Sequence, residues 1–429
     1  MFRSPVLLRS LQQAAHDFGS SQISYVTFKA SGSISSGAAA GRIFSTAAAT
    51  APEVPLTFAR LRELAHLYKQ LSKAKLSTLV VSTTAAAFVA GSGDSVDWKK
   101  LGWTCIGTAA AASSANALNQ IYEVTNDSLM KRTMRRPLPA GRMSMAHALA
   151  FAAVTGLGGI GVLACQTNNL TAGLGAANIA LYAAVYTPLK VVSVANTWVG
   201  AVVGAIPPLM GWTAATGQLD PGAIVLSATL YLWQMPHFMA LAWMCREDYA
   251  RGGYRMLSKF DPTGKRTAAC ALRNCVYLLP VGMLAAAFGV TTNAFAYEAA
   301  FITGAMTVTA AAFYSSPTNA AARTLFRASL LHLPLFMGAL LIHRVPQTQE
   351  HTSQLRVSLA NPSGMFAASP LLSGAERQSA AQGALRTVCA PPLPFLPVSA
   401  EPVSWPSQAG LLSDHDHATF EAGRTDKKQ

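Results

Sequence analysis

Nine apolar stretches of near-bilayer length follow one another through this chain, separated by short polar intervals. They fall near 76–93, 101–121, 145–165, 170–188, 197–216, 222–243, 269–290, 296–314 and 325–343. A helix that crosses a bilayer needs roughly 20 mostly apolar residues. The first stretch, interrupted by Ser and Thr, is the weakest of the nine. Small residues crowd the stretches, as in Gly107-Thr108-Ala109-Ala110, and small side chains let membrane helices approach closely. The chain reads as an all-α polytopic membrane protein with about nine transmembrane helices. Composition agrees. Hydrophobic residues make up 51% of the 429 and charged residues only 12%, where soluble chains carry about 25%. An ordinary soluble enzyme and a disordered scaffold are excluded.

The net charge of +14 admits nucleic acid, an anionic membrane surface or an anionic substrate as partner. The basic residues are split among short loops between apolar spans, which disfavours nucleic acid. They also alternate in side. Lys131, Arg132, Arg135, Arg136 and Arg142 share one predicted side with Lys190, with Arg246 to Arg266, and with Arg323 and Arg327. The opposite loops carry few charges, as the positive-inside rule requires of nine spans.

The flanks differ from the middle. Residues 1–50 hold Arg3, Arg9, Lys29 and Arg42 against a single acid, Asp17, with abundant Ser and Ala. That is the composition of an organellar transit peptide; a mitochondrial address is expected, with a plastid one as the alternative. Residues 51–75 are expected on the side that would be the matrix, and 76–344 form the membrane domain. Residues 345–429, with Pro-rich runs such as Ala390-Pro391-Pro392-Leu393-Pro394, are expected to be a disordered tail on the opposite, intermembrane-space side. Six cysteines without a CxxC pair argue against a disulfide framework or zinc site and are expected to be buried apolar groups.

Two loops on the basic side concentrate acids. Asn119, Glu123 and Asp127 recur every four residues at the end of an apolar span, so all three project from one helical face. Two carboxylates and an amide form a hard-oxygen site suited to Mg²⁺, which bridges to phosphate oxygens. The expected ligand is therefore a diphosphate, with Lys131, Arg132, Arg135 and Arg136 holding its remaining charge. The second loop runs Arg246-Glu247-Asp248-Tyr249 through Arg251 and Gly252-Gly253 to Tyr254. Asp248 is its candidate metal carboxylate, and the glycine pair would let the loop turn and close over the site. His237, inside an apolar span after Pro236, would either serve as an imidazole ligand or satisfy carbonyls freed by the proline. His147 and His332 have weaker claims.

The stretch from Asn119 to Arg136-Pro137-Leu138-Pro139-Ala140-Gly141 resembles the first signature of the UbiA prenyltransferase superfamily. Tyr186-Thr187-Pro188-Leu189-Lys190, Gly204-Ala205-Ile206-Pro207-Pro208, Trp233-Gln234-Met235-Pro236-His237-Phe238 and Asp248-Tyr249 through Met256-Leu257 resemble its heme-farnesylating branch. The resemblance covers residues 100–345. It implies nine helices around a central lipid-accessible cavity, and transfer of a farnesyl group from farnesyl diphosphate to a vinyl group of heme b, giving heme O. It also implies Mg²⁺ held by Asn119, Glu123, Asp127 and Asp248, a diphosphate bound by the basic cluster with Lys190 and Arg251, and a heme-facing His237. Glu123 stands where bacterial members often have Asp. The implied setting is the mitochondrial inner membrane, with heme A synthase or cytochrome oxidase assembly factors as further partners. Tyr122, Tyr182, Tyr186 and Trp198 are the aromatic candidates for stabilising an allylic cation. Two other readings compete: a prenyltransferase acting on a quinone precursor, and a transporter or scaffold without chemistry. Acids gathered at one side fit an enzyme better than a pathway across the bilayer.

Overall fold

A computed structural model describes residues 58–347. The transit-peptide segment and nearly all of the tail lie outside the described residues. Twelve helices are numbered here in chain order. Helix α1 (Phe58–Leu71) precedes the membrane domain. The long segments are α2 (Ala74–Gly91), α3 (Trp98–Tyr122), α5 (Met145–Gln166), α6 (Asn169–Val192), α7 (Asn196–Thr216), α8 (Pro221–Met244), α10 (Lys265–Ala287), α11 (Asn293–Ser315) and α12 (Asn319–Ile342). Two short helices, α4 (Val124–Leu129) and α9 (Arg246–Arg251), carry the acidic loops. Each expected apolar stretch has become one long helical segment. Seven of them are long and apolar enough to cross a membrane; α3 and α11 fall outside that group. The shortfall of α3 has a local cause. It buries Ser114, Asn116, Asn119 and Gln120 against protein, so its polarity belongs to a site inside the bundle. The first span, weakest in the sequence reading, meets the criterion.

The helices close a ring. Helix α2 packs on α3, α7 and α12; α3 on α5; α5 on α6; α6 on α7; α7 on α8; α8 on α10 and α12; and α11 on α10 and α12. The outer faces are apolar, with Val154, Leu157, Phe301 and Val308 strongly exposed, as expected where lipid replaces water. Inside the ring lies a cavity of about 410 Å³ lined from α2, α3, α6, α7, α8 and α12. That size suits a small organic ligand.

Hydrogen bonds define the two ends. At the charge-poor end Arg344 Nη1 donates to the carbonyls of Val89, Ser92 and Gly93, tying the last span to the first. Val345 and Gln347 donate backbone N–H groups to Val290 and Ser92, so the first residues assigned to the tail are packed against the bundle. The basic loops gather at the other end. Of the five cysteines among the described residues, all free, only Cys270 and Cys275 are buried; Cys165 is exposed, contrary to the expectation for a small apolar group.

Close helix contact rests on glycine at one point above all. A Cβ on Gly211 would lie 1.9 Å from the Thr84 carbonyl oxygen, so α7 and α2 meet backbone to backbone. Backbone cannot move aside as a side chain can. Gly211→Ala is expected to destabilise the bundle by at least about 1–3 kcal/mol, the usual cost of overpacking. Gly304→Ala, where nothing lies within 4 Å, is expected to be neutral. Thermal unfolding of both variants in detergent checks the contrast; equal melting temperatures would remove the contact from the account.

Candidate functional site

The motif face survives folding with one break. Helix α3 ends at Tyr122 and α4 begins at Val124, with Glu123 at the junction (φ −94°, ψ 11°). The four-residue ladder still runs through it: Glu123 N–H donates to Asn119 O at 3.0 Å and Asp127 N–H to Glu123 O at 2.7 Å. All three side chains stay together and buried, with Asn119 and Asp127 at 0% exposure and Glu123 at 3%.

Buried carboxylates require charge partners. Lys190 Nζ lies 2.8 Å from Glu123 Oε1, and Arg136 Nη1 lies 2.5 Å from Asp127 Oδ2. Lys190 is placed by α6, whose π-helical turn Leu181–Tyr186 shifts the register just before it. Such turns are frequent at functional sites. The turn sets the Tyr186 ring 4.5 Å from Lys190 Nζ, while Tyr254 stands 5.8 Å away on another side. Asn119 is held at both ends of its amide: Nδ2 donates to Thr187 Oγ1 at 3.0 Å, and Oδ1 accepts from Lys73 Nζ at 2.6 Å.

Lys73 is the residue the sequence reading missed. It sits between α1 and α2 and adopts φ 48°, the one positive φ among described non-glycine residues. A side chain in that region is strained, and strain of this kind concentrates at functional sites. Burial, with the Arg136 and Lys190 charges nearby, lowers its pKa to about 7. Its sequence signal is faint, because a lysine before an apolar span reads as an ordinary positive flank. Tyr182, whose hydroxyl lies 3.4 Å from Lys73 Nζ, joins the same cluster.

Three ammonium or guanidinium groups (Lys73, Arg136, Lys190) thus surround two carboxylates. The excess positive charge suits an incoming anion. Asp127 Oδ1 is buried and has no hydrogen-bond partner among the described residues. Burial raises the Asp127 pKa despite the opposing pull of Arg136. An orphaned carboxylate oxygen beside Asn119 and Glu123 fits a hard cation such as Mg²⁺.

Asp248 accepts backbone N–H groups of Lys131 (3.0 Å) and Arg132 (3.4 Å) and lies 3.3 Å from Arg251. It clamps one loop to the other. Among the described residues no three His, Cys, Asp or Glu side chains converge as a metal cage. Asn126 Nδ2 donates to Gly252 O at 2.7 Å, and Gly253 takes the left-handed turn at φ 77°. The glycine pair therefore makes a turn pinned to the first motif. Arg132 packs its guanidinium 5.5 Å from the Tyr249 ring. The Lys131 and Arg135 side chains are exposed, outside the inner cluster, and the Arg251 guanidinium serves the clamp.

Tyr182 and Tyr186 also line the apolar cavity, so the charged cluster and the cavity share walls. His237 lies on that wall too. Its ring stacks between Trp233 (centroids 5.2 Å apart) and Phe326 (4.6 Å). Its Nδ1 meets Ser329 Oγ at 2.9 Å, while Ser329 Oγ donates its hydrogen to Phe326 O at 2.7 Å. With the Ser329 hydrogen on the Phe326 carbonyl, Ser329 accepts from His237 Nδ1–H, the tautomer that carries its lone pair on Nε2. His237 does not cap carbonyls freed by Pro236. His147 bonds the Tyr68 hydroxyl and His332 bonds Thr303, both structural contacts. Of the other aromatic candidates, Tyr122 is 42% exposed and Trp198 faces a different cavity.

The UbiA prenyltransferase family model matches residues 80–336. The mitochondrial protoheme IX farnesyltransferase of Arabidopsis thaliana is 48% identical over 369 residues, covering 83% of this chain and 85% of its own. The human mitochondrial protein of that name is 46% identical over 284 residues, 66% of this chain and 63% of its own. Among solved structures, digeranylgeranylglyceryl phosphate synthase superposes with a TM-score of 0.57 at 14% identity, covering 66% of this chain and 98% of that one. A UbiA homolog from Aeropyrum pernix K1 gives 0.51 at 16% identity, covering 62% and 97%.

Proposed function

The chain belongs to the UbiA prenyltransferase family, and on that premise we propose that it transfers the farnesyl group of farnesyl diphosphate to a vinyl group of heme b, making heme O. One juxtaposition carries the reading. An acid–amide triad braced by Lys73, Arg136 and Lys190 shares walls with an apolar cavity that His237 also lines.

The residues would divide the work by chemistry. Asn119, Glu123 and Asp127 would hold Mg²⁺, which supplies charge neutralisation for a departing diphosphate. Lys73, Arg136 and Lys190 would take the remaining negative charge, acting in a buried site where each hydrogen bond is stronger than in water. Ligand entry would release Lys73 from Asn119 and relieve its crowding by like charges. Asp248, through the backbone of 131–132, would keep the Arg132 loop closed over the diphosphate. Tyr182 and Tyr186 would face the developing allylic cation with their rings. His237 would bind the heme iron through Nε2, bringing a vinyl group within reach of the farnesyl C1. The C1–oxygen bond breaks as the new carbon–carbon bond forms, and water adds to the cation left on the vinyl carbon with loss of a proton. We place the enzyme in the mitochondrial inner membrane with its motif loops toward the matrix, handing heme O to the enzyme that makes heme A.

Lys73 gives this reading a pH signature. Below pH 7 the ammonium is charged and holds diphosphate; above pH 7 the unliganded site loses that charge. KM for farnesyl diphosphate is expected to rise up to about tenfold per unit above pH 7. Lys73→Arg should move the rise out of the accessible range, and Lys73→Ala should raise KM at every pH and flatten it. An unchanged profile in Lys73→Ala would remove the residue from the site.

The function itself is tested with the purified protein in liposomes, supplied with Mg²⁺, farnesyl diphosphate and heme b, with products read by mass spectrometry. Heme O is the expected product. Consumption of farnesyl diphosphate only when an aromatic acid replaces heme would overturn the acceptor and favour the quinone-precursor reading.

A further inference from the structure

A second cavity, of about 680 Å³, lies at the basic end of the bundle, beside the loops that carry the site. The last residues of α6, the start of α7, the turn Leu257–Phe260, the first turns of α10 and the end of α11 form its walls. Four cations line it, Arg255, Lys265, Arg266 and Arg273, and no Asp or Glu is among its described lining. Apolar side chains, including Val192, Leu257 and Phe260, complete the walls. Such a combination selects an amphiphile with an anionic head.

From this pocket we infer that the protein binds an anionic phospholipid, its phosphate among these cations. The phosphate chemistry alone would suit a soluble phosphate equally well. What favours a lipid is the continuation of α10. Arg266, Ala269, Arg273 and Val276 follow at steps of three, four and three, which places them on one helical stripe, and Met283 lies beyond the turn at Leu279–Pro280. Past the cations the outward surface of this segment is apolar, with Val276 46% and Met283 61% exposed. A headgroup at Arg266 and Arg273 would lay its acyl chain along it. Basic pockets between membrane helices bind anionic headgroups in this way.

Occupancy would bear on the nearby charged cluster through the backbone. Arg255 N–H donates to Lys190 O at 2.7 Å, Arg255 O accepts from Asn196 Nδ2 at 2.9 Å, and Arg255 Nη1 donates to Val192 O at 3.0 Å. A lipid holding the Arg255 guanidinium would thus steady the segment that delivers Lys190. The inference concerns a site apart from the reaction and stands whatever the acceptor is.

The test is native mass spectrometry of the full chain released from nanodiscs containing equal phosphatidylglycerol and phosphatidylcholine. Retention of phosphatidylglycerol is expected to exceed that of phosphatidylcholine by about tenfold or more, falling to near parity in Arg266→Gln/Arg273→Gln. Arg273 is half-buried, so Arg266→Glu alone serves as the second variant and should also reduce the preference. No preference in the natural protein, or an undiminished one in both variants, would overturn the inference. So would displacement of the lipid by millimolar inorganic phosphate or by heme, which would assign the pocket to a soluble anion or to the carboxylates of the substrate.

Discussion

Asp127→Ala is expected to reduce heme O formation by about 10³-fold while leaving the protein inserted in the membrane. Removing a preorganised charge from such a site costs about that much in rate, equivalent to roughly 4 kcal/mol of barrier. The expectation for Asp127 exceeds that for its neighbours because its two oxygens do different things. One pairs with Arg136, and the other is buried without a donor. Alanine removes both the cation site and the partner of a half-buried guanidinium. Asp127→Asn separates these effects. It keeps the shape and one acceptor for Arg136 but loses the charge, so it should be nearly as inactive and melt closer to the natural protein. Heme extracted from membranes expressing each variant, analysed by mass spectrometry beside thermal unfolding, reads both quantities. Substantial heme O from either variant would remove Asp127 from the metal site.

How much of this was legible beforehand depended on the range of the interaction. The nine long segments follow from bilayer thickness acting on local composition, and each emerged where apolar residues ran for the required length. The Asn119–Glu123–Asp127 face was equally local, fixed by helical periodicity even across the break at Glu123. Resemblance put Lys190 among the diphosphate ligands, but its pairing with Glu123, 67 residues away, was not legible. Lys73 reaches Asn119 across 46 residues through a left-handed backbone turn that a lysine does not advertise. Asp248 was singled out by its charge, but its contacts with the backbone N–H groups of Lys131 and Arg132 are of a kind that a sequence cannot display. Arg135 was grouped with its basic neighbours, yet its side chain is exposed and only its carbonyl is engaged, by Arg142. Charge density along the chain located the loops but did not sort which charges turn inward.

His237→Ala is expected to lower heme O formation by about 100-fold at fixed heme while leaving Mg²⁺-dependent binding of farnesyl diphosphate intact, because the charged cluster makes no contact with the imidazole. Ser329 positions this imidazole. Its oxygen lies 2.9 Å from His237 Nδ1 and 2.7 Å from the Phe326 carbonyl, so a hydroxyl hydrogen given to that carbonyl would hold His237 in the Nδ1–H tautomer. A histidine that ligates iron commonly donates its other N–H to an acceptor in this way, and losing that acceptor costs about 10- to 100-fold in affinity or activity. Ser329→Ala should therefore weaken heme binding toward the lower end of that range, with Trp233 still anchored because its Nε1 donates to the Ser329 backbone carbonyl. Absorption spectra of heme added to the purified protein distinguish ligation from packing. The natural protein should shift the heme Soret band, Ser329→Ala should shift it only at higher heme concentration, and His237→Ala should leave it as in lipid alone. A natural-like shift in His237→Ala would show that another group meets the iron, and His237 would then be a packing residue stacked between Trp233 and Phe326.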